Sequence, residues 1–241
     1  IFEAAKMNNI LIPHFCYMEN VHQIGSCRIC VVEIEGYRTL QASCVTEAKQ
    51  GMVIHTNSAK VRSARKVIYE LMLSDHPKEC LVCSRNQVCE FQRLGEFVQV
   101  EDFRFEGQKS KNTIDASSPA IELDTYKCIL CRRCVTMCNE IQGVGILNPQ
   151  LRGFDTIIGP AESLPIGEST CTYCGQCTTV CPVAAVKERD STDSVWSALQ
   201  DKNKVVIVQT APAVRVALGE KFGLPAGTIV NIHVTFTFQV A

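Results

Sequence analysis

Two stretches decide the fold: Cys128-Ile129-Leu130-Cys131-Arg132-Arg133-Cys134-Val135-Thr136-Met137-Cys138, and then Cys171-Thr172-Tyr173-Cys174-Gly175-Gln176-Cys177-Thr178-Thr179-Val180-Cys181-Pro182. Each is spaced Cys-x2-Cys-x2-Cys-x3-Cys, so the second repeats the first. Two intervening residues let a tight loop carry successive sulfurs to neighbouring corners of a cubane iron–sulfur cluster, with backbone amides turned toward its sulfides. The fourth Cys of each run lies too far round to close its own cluster and ligates the other one. The expected ligand sets are therefore Cys128, Cys131, Cys134 and Cys181 for one 4Fe-4S cluster, and Cys171, Cys174, Cys177 and Cys138 for a second. Structural zinc, the rival for thiolate-rich sequence, uses paired Cys-x2-4-Cys hooks rather than four-Cys runs used twice.

Working outward, the 241 residues hold 15 cysteines, an odd count in a long chain, which argues against a disulfide scaffold. Hydrophobic residues make up 46% and charged ones 20%, with a formal net charge of −1. That is a globular composition without the basic footprint of a nucleic-acid binder. Apolar stretches such as Val205-Val206-Ile207-Val208 fall far short of the ~20 residues a membrane span needs. Ile1-Phe2-Glu3-Ala4-Ala5-Lys6 reads as the middle of a helical pattern, so a natural start upstream is expected. Thiolates that must bind iron imply a reducing, anaerobic compartment such as the cytoplasm.

The other seven cysteines form two blocks. Cys16, Cys27, Cys30 and Cys44 are spaced x10, x2 and x13, a variant of the plant-type 2Fe-2S pattern with a longer first gap. A helix over 2–8, a hairpin over 30–45 turning at Glu35-Gly36, and a strand over 52–55 fit a small ferredoxin-like β-grasp sheet around them. Cys80-x2-Cys83-x5-Cys89 supplies only three thiolates, and His76 stands four residues ahead of Cys80. With His76 the ligands number sixteen, four sets of four, and a His ligand removes one negative charge from its cluster, as in Rieske centres. His14, His22, His55 and His233 have no comparable partners and are assigned structural roles. The cofactor expectation is thus one 2Fe-2S and three 4Fe-4S clusters, with no catalytic residue and no nucleotide fingerprint of the Gly-x-Gly-x-x-Gly type.

The expected fold class is α+β, a multi-domain iron–sulfur protein in four parts. Residues 1–56 form the 2Fe-2S domain. Residues 57–118 form a small helical His/Cys3 4Fe-4S domain and a linker, with a helix over 57–73 capped by Asn57 or Ser58 and an apolar stripe at Val61, Ala64, Val67, Ile68, Leu71 and Met72. The polar stretch 106–118 reads as the linker, its lysines as a solvated face. Residues 119–190 form a bacterial-type 2x4Fe-4S domain with short strands inserted over 143–160. Residues 191–241 form a short α/β piece: a helix over 193–200, a strand over 204–209, a helix from Pro212 to Gly223, and an alternating strand over 230–240.

Over almost its whole length the chain resembles the accessory-cluster region of an iron-only (FeFe) hydrogenase. The residues that carry this are the four Cys blocks with His76, and Val208-Gln209-Thr210-Ala211-Pro212-Ala213-Val214-Arg215, which looks like the start of the hydrogenase catalytic domain. The first two blocks alone equally resemble the large iron–sulfur subunit of NADH dehydrogenase or an NAD-linked formate dehydrogenase. The family's H-cluster is held by cysteines farther downstream, whereas this chain has none after Cys181. The resemblance therefore implies an electron relay between ferredoxin, or a flavin- and NADH-binding partner subunit, and a hydrogen-converting centre on other residues or another chain. These residues alone are expected not to turn over hydrogen.

Overall fold

Ser58 and Pro77 bracket the longest helix. In this computed structural model, which describes residues 1–100, 104–107, 109–110, 113–207, 209 and 211–230, Ser58 Oγ accepts from the Val61 amide. Pro77 disfavours helical geometry at the residue before it, so His76 turns extended (φ −78°, ψ 143°) and the helix stops at Asp75. One compact unit comprises Ile1–Arg189 and a second Asp190–Ala241.

The first unit opens with α1 (Phe2–Met7), then β1 (Val31–Ile34), β2 (Gln41–Ala42) and β3 (Ile54–His55). These pair antiparallel in the order β2-β1-β3, with Val31 opposite Ala42 and Ile34 opposite Ile54. Of the expected β-grasp, the described residues hold these three strands and α1. Phe2, Ile12, Tyr17, Val32 and Ile34 pack around Cys30 and Cys44 in a core of their own. Helix α2 (Ala59–Asp75) follows, then α3 (Glu90–Val98).

The buried face of α2 keeps part of the expected apolar stripe, with Val61 buried and Ile68 and Met72 packed against the core, and adds polar side chains the stripe left out. Val61, Arg65, Tyr69 and Glu70 are buried, while Leu71 is 51% exposed. The polar pair is buried because each member has partners: Arg65 donates to two backbone carbonyls, and Glu70 binds Arg104 at 2.5 Å. Nor is 106–118 a free linker. Ser110 N donates to Asp75 Oδ1 at 2.9 Å, Lys109 reaches the Ser74 carbonyl, and β4 (Ile114–Asp115) lies within the stretch. Lys111 lies outside the described residues.

Strand β4 pairs with β5 (Ile121–Asp124), which also pairs with β8 (Val186–Glu188), giving a sheet β4-β5-β8. Between β5 and β8 run α4 (Arg133–Thr136), the hairpin β6 (Asn148–Gln150) and β7 (Ile157–Gly159), and α5 (Gln176–Val180). The hairpin is the insertion expected over 143–160. Ile121, Leu123, Val183, Ala185 and Val186 join the buried cysteines of both four-Cys runs in one core. Cluster-binding sequence of this size has little apolar area to bury, and the thiols stand where core side chains would.

In the second unit, α6 (Thr192–Gln200) and α7 (Pro212–Lys221) form as expected, with Pro212 in the first turn and Gly223 (φ 75°) closing the end. The strand expected over 204–209 does not form among the described residues. Val205 and Ile207 are 90% and 85% exposed, and no strand among the described residues offers them a ladder. Val208, Thr210 and 231–241, including His233 and nearly all of the expected last strand, lie outside the described residues.

Candidate metal centres

Cys16, Cys27, Cys30 and Cys44 are all buried and free. Cys30 Sγ stands 3.3 Å from Cys44 Sγ. Hydrogen bonds from Cys27 and Cys44 hold the Cys16 thiol far below its ordinary value, and the same contacts push Cys27 and Cys44 up. Cys44, by its hydrogen bond, draws Cys30 down to about 6. The structure thus brings all four together at one end of the β1 sheet, with Arg28 (φ 60°) turning the hook between Cys27 and Cys30.

His76, Cys80, Cys83 and Cys89 line one cavity. Pro77 sets the backbone of His76, and Phe91 packs its ring at 4.9 Å. His76 Nδ1 is buried without a hydrogen-bond partner. Burial, aided by Lys127, pushes its pKa down to about 4, so the imidazole is neutral and has a lone pair to offer a metal. A buried polar atom without a partner is costly, and a metal bond at that nitrogen removes the cost.

The two four-Cys runs fold alike. Leu130 (φ 53°) and Arg132 (φ 62°) adopt left-handed backbone in the first run, as Tyr173 (φ 53°) and Gly175 (φ 73°) do in the second. Alternating handedness turns successive N–H groups to one side, the concave nest that favours anions, and Leu130 N donates to Cys128 Sγ at 3.4 Å. After α4 the chain widens into a π-helical turn, Met137–Ile141, which carries Cys138. Cys138 lines a cavity with Cys171, Cys174 and Cys177 of the other run. Cys181, in turn, acts electrostatically on Cys128, Cys131 and Cys134. Burial raises Cys128 to about 11 and Cys131 to about 12, and holds Cys134 well above its ordinary value. Protonated thiols in such surroundings become ligands when a metal displaces the protons.

Among the described residues, no three His, Cys, Asp or Glu side chains meet at a point suited to a single ion. Two of the donor sets instead line cavities, and the donor set of thiols with one neutral imidazole fits iron–sulfur clusters.

Sequence reasoning missed the side chains that join these sets. His22, 4% exposed, places Nε2 3.2 Å from the Cys131 carbonyl and Nδ1 2.6 Å from Thr136 Oγ1. Arg133, between Cys131 and Cys134, forms a bidentate pair with Glu90 at 2.9 and 3.0 Å, and Glu90 follows Cys89. The Glu90 amide also donates to Pro182, next to Cys181. Their contacts span long sequence separations, and only the adjacency of Arg133 and Glu90 to ligating cysteines could have drawn attention to them. His14 stacks with Phe2 and Tyr17, and His55 pairs with Glu35 at the surface.

Comparison with known proteins follows the same division. Residues 1–59 match a 2Fe-2S iron–sulfur cluster binding domain, 65–104 the NADH-ubiquinone oxidoreductase-G iron–sulfur binding region, and 127–185 a 4Fe-4S dicluster domain. The matched stretches are thus similar to iron–sulfur binding modules, one of them a region of NADH-ubiquinone oxidoreductase-G. The NADP-reducing hydrogenase subunit HndD of Solidesulfovibrio fructosivorans is 45% identical over 96% of the chain and 40% of its own length. An NADH-quinone oxidoreductase subunit of Rhizobium meliloti is 36% identical over 77% of the chain and 22% of its own length. The chain thus spans less than half the length of these relatives. A crystal structure of an NAD+-reducing [NiFe]-hydrogenase superposes with a TM-score of 0.72 at 28% identity, covering 78% of this chain and 80% of that one. No helix among the described residues is long and apolar enough to cross a membrane.

Proposed function

We propose that the chain is the one-electron relay of an FeFe-hydrogenase-type subunit, with one 2Fe-2S and three 4Fe-4S clusters on the sixteen ligands named above. The observation that carries this is the cavity shared by Cys138 and the Cys171, Cys174 and Cys177 hook, together with the partnerless buried nitrogen of His76. When bound, such clusters supply one-electron redox chemistry at potentials set by ligand charge and hydrogen bonding. The protein's own part is to present thiols at fixed spacing, to aim the amides of the left-handed hooks at them, and to keep water away from the buried sets. His76 presents a neutral donor, which makes its set one charge less negative than the all-Cys sets.

The hydrogenase reading is favoured over NADH or formate dehydrogenase because a match over 96% of the chain must take in most of Asp190–Ala241. A match over 77% can be held within Ile1–Arg189. Ferredoxin or an NADH- and flavin-binding subunit fits as the electron partner, and a reducing, anaerobic cytoplasm as the setting. No cysteine follows Cys181, so thiolate ligation of a hydrogen-converting centre falls to residues outside these. Metal analysis of anaerobically purified protein tests the reading. About fourteen irons per chain with matching sulfide are expected, two plus three fours; stoichiometric zinc without brown visible absorption would overturn it.

A further inference from the structure

Arg65 sits mid-way along α2 and is 2% exposed. A guanidinium stripped of water needs an anion opposite it. Yet its hydrogen bonds go to neutral oxygens: Nε donates to the Ile29 carbonyl at 3.1 Å and Nη2 to the Val31 carbonyl at 2.8 Å. Among the described residues no carboxylate pairs with it, and Glu70, the buried acid of the same helix, is taken by Arg104. Both acceptors flank Cys30, so the cation is clamped against the Cys27-x2-Cys30 hook, and Cys30 is the thiolate whose charge acts on it.

We infer that Arg65 is the buried counter-charge of the centre formed by Cys16, Cys27, Cys30 and Cys44, and that it raises that centre's reduction potential. The inference rests on the reading that these four cysteines hold a 2Fe-2S cluster. Two ferric ions, two sulfides and four thiolates sum to two negative charges, and one added electron makes three. A fixed cation attracts the reduced form more strongly than the oxidised one, and at a buried site salt screens that difference only weakly. A tether joining α2 to β1 would need the same hydrogen bonds but not the charge. Charge and hydrogen bonding are therefore the properties to separate, which makes Arg65 a positioning and tuning residue, distinct from the ligands.

The experiment is an anaerobic redox titration of the full iron-loaded chain, following the reduced 2Fe-2S EPR signal at a temperature where the cubane signals have broadened away. Arg65→Gln keeps a donor and removes the charge; Arg65→Lys keeps the charge. At the wild-type midpoint, R65Q is expected to lower the ratio of reduced to oxidised cluster about tenfold, a shift of ~59 mV for one electron. R65K should stay within about twofold, and raised salt should leave the difference in place. Loss of the 2Fe-2S signal in R65Q with retention in R65K, cubane signals being intact in both, also supports the counter-charge. Equal midpoints in all three proteins, or equal shifts in both variants, would overturn it and leave Arg65 a tether. A wild-type chain with no 2Fe-2S signal would instead refute the underlying cluster assignment.

Discussion

Replacing His22 with Ala should open the seam between residues 1–56 and the first four-Cys run. A carbonyl only accepts, so Nε2–H donates to the Cys131 oxygen at 3.2 Å; in the neutral ring Nδ1 then accepts from the Thr136 hydroxyl at 2.6 Å. His22, Cys131 and Thr136 are 4%, 8% and 5% exposed, so no bulk water replaces a lost partner. Removing the ring leaves the Cys131 carbonyl unsatisfied, at about 1–3 kcal/mol, and forfeits the Thr136 bond, at about 1 kcal/mol. The cavity left by the ring adds roughly another 1 kcal/mol. The expected loss is about 3–5 kcal/mol, a large share of a typical folding free energy. Thr136→Val should cost about 1 kcal/mol, and the double variant should show a coupling of about 1 kcal/mol. The assay is anaerobic urea titration of the iron-loaded chain, read in parallel by cluster absorbance and far-UV circular dichroism. A loss below about 1 kcal/mol for H22A, or strict additivity in the cycle, would refute the bridge.

The other expectations use the same protein. Glu90→Gln leaves the Arg133 guanidinium, whose side chain is 8% exposed, without its anion; Glu90 is itself 43% exposed, so the cost in thermal melts should be only about 1–2 kcal/mol. Arg132→Gly should stabilise the metal-free chain by about 1 kcal/mol by relieving left-handed backbone, and Gly175→Ala at the equivalent position should destabilise it by about as much; melts moving in the same direction would contradict the shared hook geometry. A methyl group at Gly95 would stand 2.5 Å from the Tyr69 hydroxyl, which donates to the Phe91 carbonyl. Gly95→Ala should therefore cost about 1–3 kcal/mol in the same melts. His76→Ala should remove or convert one 4Fe-4S EPR signal and spare the 2Fe-2S signal; unchanged spectra would show that His76 is not a ligand.

The juxtapositions of thiols were legible because ligand spacing is a local property. Two residues between cysteines define a hook, and a hook used twice implies an exchange of fourth cysteines, which the shared Cys138 and Cys171 cavity matches in placement. The start of α2 was legible for the same reason, since Ser58 acts on neighbouring backbone. What the pattern hid depends on distance in sequence or on a partner. Val205 and Ile207 carry strand propensity, but a strand needs a second strand, and none adjoins them among the described residues. The polar run 106–118 looks like a linker until Asp75 and the Ser74 carbonyl are known to face it.

The stripe on α2 was right at Val61 but missed Arg65, for a reason specific to this chemistry. Reading Leu71 as buried and passing over Arg65 assumes that the interior is uniformly apolar. An interior built around thiolates has a sign: it is anionic, and a cation that would be expelled from an ordinary core is retained there. Arg65 beside Cys30, and Arg133 between Cys131 and Cys134, are buried where hydrophobic periodicity alone would place leucine or valine. The two positions differ in one respect that can be measured. Arg133 already has Glu90 to balance it, whereas Arg65 has no carboxylate among the described residues. If buried charge is retained here as counter-charge to metal-bound thiolate, stripping the iron should leave Arg65 the more exposed to solvent of the two. Hydrogen exchange at mid-α2 should then rise on iron removal well before exchange in α4.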